Sequence, residues 1–332
     1  MPRLSVVIPT YRRAAALRRA LRATLGQTGL APGSFEIVIV DNCPDRSAES
    51  VVKPMTEAWP ERIRYLVEPA AGISHARNTG VQAARAELIV FLDDDNEPTP
   101  TCLASLLRTQ RECDADAVFG PVEARLGTAP VRHAELLQGC FSRRVSLPDG
   151  ADATSHVGYL GTGNSLFRRS TCFAGRSQPF ASSRGLTGGE DTLLLRQLAM
   201  EGRRFYWSRE AVAYEHVEPS RQCLSYLCRR RFRSGQVRAE TCILLTPPRR
   251  LETVLWMGVG AGQVLIWGLV AAVAGIARSA LMPRAVCAAC AGLGKVFWMK
   301  PFQSAIYAGA RPQLPSGAFL GEQPGVVESR KS

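Results

Sequence analysis

The segment Phe91-Leu92-Asp93-Asp94-Asp95-Asn96 sets three carboxylates side by side at the end of an apolar run. Adjacent like charges repel, and ionised acids beside a buried strand are costly. Two readings follow. An acidic loop or helix cap would leave the carboxylates in water. A divalent cation would neutralise them and bring a phosphorylated substrate, since Mg²⁺ and Mn²⁺ take hard oxygen ligands and bridge one or two carboxylates to phosphates. Alternation at a strand end lets Asp93 and Asp95 share such a ligand while Asp94 points elsewhere. A second acidic pair, Glu190-Asp191, follows Gly188-Gly189 and opens an amphipathic stretch. It reads either as a helix-dipole partner or as a general base with its neighbour.

The elements that position these acids come from periodicity. Short continuous apolar runs (LSVVIP, EIVIVDN, RIRYLVE, ELIVFL and AVFGPV) alternate with helical patterns through the first 120 residues. Such strands, separated by helices, imply a parallel sheet covered on both faces. Ligands then collect at the carboxyl ends of the strands. Topology gathers PTYRR, Asp41-Asn42 and the aspartate run at that edge. No G-x-G-x-x-G follows the first strand, and no G-x-x-x-x-G-K-[ST] occurs, which disfavours a dinucleotide dehydrogenase or a P-loop enzyme. The stretch RRFYWSREAVAYEHVEP reads as a strand pair ending at His216, and GYLGTGNSLF as a backbone closely approaching a ligand.

The 332-residue chain carries a net charge of +12, almost all of it arginine. Arginine suits bidentate phosphate recognition. The ten cysteines read as small buried hydrophobes, because the N-terminus has no leader-like apolar run and the N-terminal domain is expected to stay in a reducing compartment. Leu255 to Ile276 is an uncharged stretch with Trp256 near one end, long enough to cross a bilayer. Ala285 to Met299 is shorter and contains Lys295, as an interfacial or re-entrant segment would. The expected organisation is 1–120 and 121–248 for two halves of the α/β domain, 249–300 for a membrane-associated segment and 301–332 for a polar tail.

Taken in order, SVVIPTYRR, IVIVDN, GISHARNTG, FLDDDN and GGED resemble the family 2 glycosyltransferases of GT-A fold. HVEP followed by RRRFRSGQ narrows the resemblance to bacterial exopolysaccharide glucosyltransferases of the succinoglycan type. The resemblance implies an α/β Rossmann-like mixed sheet and inverting, metal-dependent transfer from a nucleotide-sugar donor, UDP-glucose first among candidates. It places Pro9, Thr10, Tyr11, Arg13, Asp41, Arg77, Asp93 and Asp94 at the nucleotide sugar, with Asp41 accepting from the uracil imide. It gives Asp95 and Asp93 to Mg²⁺ or Mn²⁺, with His216 as a third ligand. It makes Asp191 the catalytic base with Glu190 beside it, and sets Arg230 and Arg233 near the diphosphate. The family's Q-x-x-R-W motif is incomplete here: the tryptophan is missing and the glutamine is out of register. The acceptor implied is a polyprenyl-diphosphate-linked oligosaccharide at the cytoplasmic face of the bacterial inner membrane. Galactosyl and N-acetylhexosaminyl donors fit the same motifs. A basic nucleic-acid-binding module is the competing class, but no nucleic-acid motif appears, so no nucleic-acid partner is expected. A nucleotidyltransferase would need a Gly-rich loop where this chain has PTYRR.

Overall fold

The computed structural model describes residues 2–127 and 131–303, and the expected polar tail lies almost wholly outside them. The chain begins with β1 (Leu4–Thr10), α1 (Ala14–Leu25), β2 (Phe35–Asp41), α2 (Glu49–Ala58), β3 (Ile63–Val67), α3 (Ile73–Ala83), β4 (Leu88–Phe91), β5 (Asn96–Pro98) and α4 (Cys102–Glu112). It continues through β6 (Ala117–Phe119), β7 (Val122–Arg125), α5 (Ala134–Phe141), β8 (Ala151–Asp152), β9 (Ser165–Arg168), α6 (Arg169–Cys172), α7 (Glu190–Met200), β10 (Phe205–Trp207) and β11 (Ala213–His216). Three helices follow: α8 (Leu224–Leu244), α9 (Arg250–Ile276) and α10 (Met282–Val296).

β1 and β2 are apolar on both faces because both faces are covered. Val6, Ile8, Ile37 and Ile39 pack with Leu17, Leu21, Leu103 and Leu106 of α1 and α4. Val7, Val38 and Val40 point the other way, toward Ala76 and Val81 of α3 and Leu194 and Leu198 of α7. The main sheet runs β3-β2-β1-β4-β9-β6-β10-β8. β1 to β4 are parallel, but β9 lies antiparallel between β4 and β6, so the sheet is mixed, as the GT-A expectation has it. β9 comes from beyond residue 121, so the two expected halves share one sheet.

Two strand readings need correction. AVFGPV is not one strand: β6 belongs to the main sheet and β7 to a second sheet, ordered β5-β11-β7. Gly120 makes the break, where a Cβ would meet the Ala211 carbonyl oxygen at 2.1 Å. Likewise β10 and β11 do not pair with each other. β10 runs beside β6, whereas β11 lies between β5 and β7. Both sheets therefore bring strand ends to the aspartate run.

α10 packs on α8 with the backbones touching. A Cβ on Gly294 would lie 1.9 Å from the Phe232 carbonyl oxygen, and one on Gly235 2.1 Å from that of Ala291. α9 in turn covers α10, with Gly260 against Gly292. α9 is the one described helix long and apolar enough to cross a membrane.

Candidate active site

The chain leaves β1 and turns at Arg12, held at φ 51°. Pro9 is buried in the strand, and Tyr11 lies half-buried with the Arg12 guanidinium 5.4 Å from its ring centroid. Thr10 donates to Asp94 Oδ2 at 2.8 Å. Arg13 then reaches Asp94 Oδ1 at 3.1 Å and Asp95 Oδ2 at 2.9 Å. Arg221, which no motif singled out, also approaches Asp95 Oδ2 at 3.5 Å. Asp94 is buried and turned inward, fixing Thr10 and Arg13 rather than facing a ligand. Burial raises its pKa, against Arg13 and Thr10. Burial, then Glu215 and the other two aspartates, push Asp95 well up, with Arg13 opposing. Asp93 is the open member, its side chain 41% exposed.

Asp41 departs from its expected role. Its carboxylate is fully buried and accepts from the Cys43 and Ala48 N–H groups, the Ser47 hydroxyl and the Tyr65 hydroxyl. These contacts cap the turn before α2, so a uracil imide would have to displace a protein donor. Burial and that bond hold the Tyr65 hydroxyl pKa well above its usual range.

Arg77 joins the two acidic motifs. One guanidinium nitrogen bonds Glu190 Oε1 and another bonds Asp93 Oδ1 at 3.2 Å. Glu190 Oε2 is buried with no hydrogen-bond partner among the described residues. Burial pushes the Glu190 pKa up to about 7, Arg77 opposing and Asp191 adding. Asp191 Oδ1 accepts from its own neighbour, the Thr192 N–H, at 2.6 Å, while Oδ2 faces Gly161.

The GGED turn needs Gly188 and Gly189 for their φ of 78° and 83°, a left-handed region that other residues enter at a cost. Arg184 and Arg233 both donate to the Gly188 carbonyl, at 2.7 and 2.9 Å, and Arg233 to that of Thr187 at 2.6 Å. Glu240 pairs with both arginines. Arg233 is thus buried beneath the acidic turn and not presented to a diphosphate, which corrects its expected placement. Burial, with Arg184 beside it, lowers its pKa. Arg230 is half-buried, 4.7 Å from the Phe141 ring centroid, and its charge acts on Glu215.

Two further residues in the site carry no motif. Arg143 donates to the carbonyls of Gly120, Gly161, Gly163 and Asn164. It clamps the GTGN loop between the acids: Gly161 faces Asp191, and a Cβ on Gly163 would lie 2.4 Å from Asp93 Oδ2. The close approach expected of this loop is to these carboxylates. Burial lowers the Arg143 pKa to about 10, against the pull of Asp93, Asp191 and Glu215. Glu215, on β11, is pushed up to about 7 by burial, with Arg230 opposing and Asp93 adding.

Among the described residues no group of three or more His, Cys, Asp or Glu side chains is arranged to hold a metal. Asp93, Asp95 and His216 do not form a ligand set. The His216 imidazole is engaged by Glu97, and its backbone N–H donates to the Asp95 carbonyl at 3.1 Å. An all-protein cage is therefore absent there. One open carboxylate with a second behind it fits a cation that keeps waters and arrives with substrate phosphates.

A mixed sheet with an acidic run on its fourth strand end, tied through an arginine to an acidic helix start, defines a GT-A-type sugar transferase. The family model for glycosyl transferase family 2 matches residues 5–172, just over half of the chain. Succinoglycan biosynthesis protein ExoM of Rhizobium meliloti is 33% identical over 234 residues, covering 70% of this chain and 73% of its own. The chain belongs to glycosyl transferase family 2 and is a glycosyltransferase. It is also 31% identical over 122 residues to the GalNAc(5)-diNAcBac-PP-undecaprenol beta-1,3-glucosyltransferase of Campylobacter jejuni, over 36% of this chain and 38% of that one. Among solved structures, the mannosyltransferase PcManGT of Pyrobaculum calidifontis, in complex with GDP-Man and Mn²⁺, superposes with a TM-score of 0.58 at 19% identity, covering 88% and 87% of the two chains. S. aureus TarS 1–349 in complex with UDP gives 0.52 at 16% identity, covering 89% of each. These likenesses show the fold.

Proposed function

We propose that the protein is an inverting hexosyltransferase that moves glucose from UDP-glucose to a lipid-linked oligosaccharide during bacterial exopolysaccharide or surface polysaccharide synthesis. One observation carries this reading: Arg77 bridges Asp93 and Glu190 and so joins the donor-side acids to the acid pair. Direct displacement at a sugar carbon needs a base for the acceptor hydroxyl and stabilisation of the leaving diphosphate. Asp191 is the base, because its Oδ2 faces the GTGN loop while Oδ1 is fixed by the helix start. Glu190 Oε2, with no partner among the described residues, suits an acceptor hydroxyl. A single base fits inversion, since retention by analogy with hydrolases would require a second carboxylate as nucleophile.

Arg13 and Arg230 border the donor side and supply positive charge to the leaving group, while Thr10 and Arg77 fix the acids there. Arg233 acts on the acid pair through its turn. Mg²⁺ or Mn²⁺ brought by the donor would be held by Asp93 and Asp95 and would supply charge neutralisation at the diphosphate. ExoM's part in succinoglycan biosynthesis and the undecaprenol-diphosphate substrate in the Campylobacter relative's name support the pathway and the acceptor class. TarS with UDP supports the nucleotide. The outward apolar face of α9 supports attachment to a membrane, which in this reading is the inner membrane at its cytoplasmic face.

The test is a donor screen: purified protein, Mn²⁺ or Mg²⁺, a panel of UDP- and GDP-sugars, and measured release of nucleotide diphosphate. UDP-glucose should give the highest rate. Preferential use of UDP-galactose or UDP-N-acetylglucosamine would move the assignment to those sugars, and no metal-stimulated release from any donor would overturn it.

A further inference from the structure

Two cations meet at one indole where α8, α9 and α10 converge. The Arg238 guanidinium lies 4.9 Å and the Lys295 ammonium 5.9 Å from the Trp256 ring centroid. Arg238 also lies 5.8 Å from the ring of Tyr159, which is 71% exposed. Lys295 donates to Gln263 Oε1 at 2.5 Å, and Arg238 to the Gly158 carbonyl at 3.4 Å. The carboxylate nearby, Glu252, is held by Arg196 at 2.6 Å and by the Trp256 N–H at 3.3 Å. Burial and the Arg238 charge both lower the Lys295 pKa, with no carboxylate opposing them. Like charges gathered in a half-buried place repel, and an anion between them removes that cost.

The location is informative. Gly158, against Arg238, is three residues before Gly161, which faces Asp191. Three residues span at most about 10 Å. On the other side, Trp256 borders the outward apolar face of α9, where Leu255 and Val259 are exposed. The pair therefore lies between the base and the apolar surface.

We propose that Arg238 and Lys295, walled by Trp256 and Tyr159, bind the diphosphate of an isoprenyl-linked acceptor, directing its sugar end toward Asp191 and its chain along α9. The inference rests on the lipid-linked acceptor reading. The arginine fork takes two phosphate oxygens and the lysine a third as a point charge. A phospholipid headgroup offers similar chemistry with a single phosphate.

Flotation of full-length protein with phosphatidylcholine vesicles separates the two sources. Vesicles would carry either farnesyl diphosphate or phosphatidylglycerol at matched charge. Farnesyl diphosphate should bind on the order of 10-fold more tightly than phosphatidylglycerol, since a diphosphate engages both cations at once. Arg238→Gln and Lys295→Gln should each abolish that preference, with Lys295→Arg retaining most of it and Arg111→Gln on α4 leaving it intact. Thermal unfolding identifies any variant that has lost its fold. Equal binding of both lipids by the wild type, or a preference that survives both glutamine substitutions in folded protein, would overturn the proposal. Because flotation reads binding alone, a failed donor screen would remove the UDP-glucose reading without deciding this one.

Discussion

Asp191 presents one oxygen to the GTGN loop and commits the other to its own helix start, so its charge and its geometry can be separated by experiment. Asp191→Asn keeps the shape but cannot take a proton. Transfer should fall by roughly 10²-fold or more while UDP affinity, read by calorimetry, stays near wild type. Retained turnover would return Asp191 to a helix-capping role. Gly163→Ala acts from the other side of the pocket. Its Cβ would press on Asp93, so metal-assisted donor affinity should drop more than the turnover of bound donor. Glu190 gives a pH signature. Its folded pKa of about 7 lies above the ordinary 4.5, so the protonated form favours the fold. That contribution is full below about pH 4.5 and is lost as pH rises through about 7. Glu190→Gln should flatten this part of the stability profile, measured by denaturant unfolding at about pH 5 and pH 8. An unchanged pH slope would mean the carboxyl is ionised throughout. The acids of this site were legible in the sequence because they are clustered. Arg143, Arg221 and Glu215 were not, since an arginine that binds loop carbonyls, one that reaches Asp95 from far along the chain and an acid on a short strand leave no local pattern. The partners that occupy Asp41, Ser47 and Tyr65 among them, likewise come together only in three dimensions.

Helix α8 works as a brace between the acid turn and the C-terminal helices. Arg233 on one face holds the Thr187 and Gly188 carbonyls, and Gly235 on another meets α10. Removing a buried charge that satisfies two carbonyls and a carboxylate is strongly destabilising, by about 3 kcal/mol or more. Arg233→Met should therefore lower stability and reduce turnover more than UDP affinity, because it loosens the turn that carries Asp191. A loss of donor affinity alone would restore Arg233 to the diphosphate. The strand-helix alternation that builds the sheet was legible from apolar runs. The break at Gly120-Pro121 was hidden inside such a run, because periodicity does not report which sheet a strand joins.

At the scale of the whole molecule, α9 is turned inside out relative to a helix on a soluble core. Thr253, Gly260 and Ala274 face inward, whereas Leu255, Val259, Leu265, Ile266, Leu269 and Val273 are exposed. An outward face of large aliphatic side chains is suited to lipid. The sequence reads Leu255 to Ile276 as long enough to cross a bilayer and only Ala285 to Met299 as interfacial or re-entrant, because length and hydropathy do not report packing. The packing favours an interfacial placement for α9 as well. α10 is tied to the domain near both ends, through Arg284 to Glu135 and through the Phe297 carbonyl to Gln236. α9 follows α10 from Gly260 against Gly292 to Gly275 near Met282. A crossing of about 40 Å by its 27 residues would draw the domain flank into the bilayer with it. We therefore expect α9 to lie in the membrane surface, and alkaline carbonate should release the full-length chain from membranes. Leu265→Gln with Leu269→Gln should weaken attachment further, seen as protein in the supernatant at neutral pH, with UDP binding retained. Full-length chain that stays in the carbonate pellet would instead establish an integral span, with α9 swung away from α10.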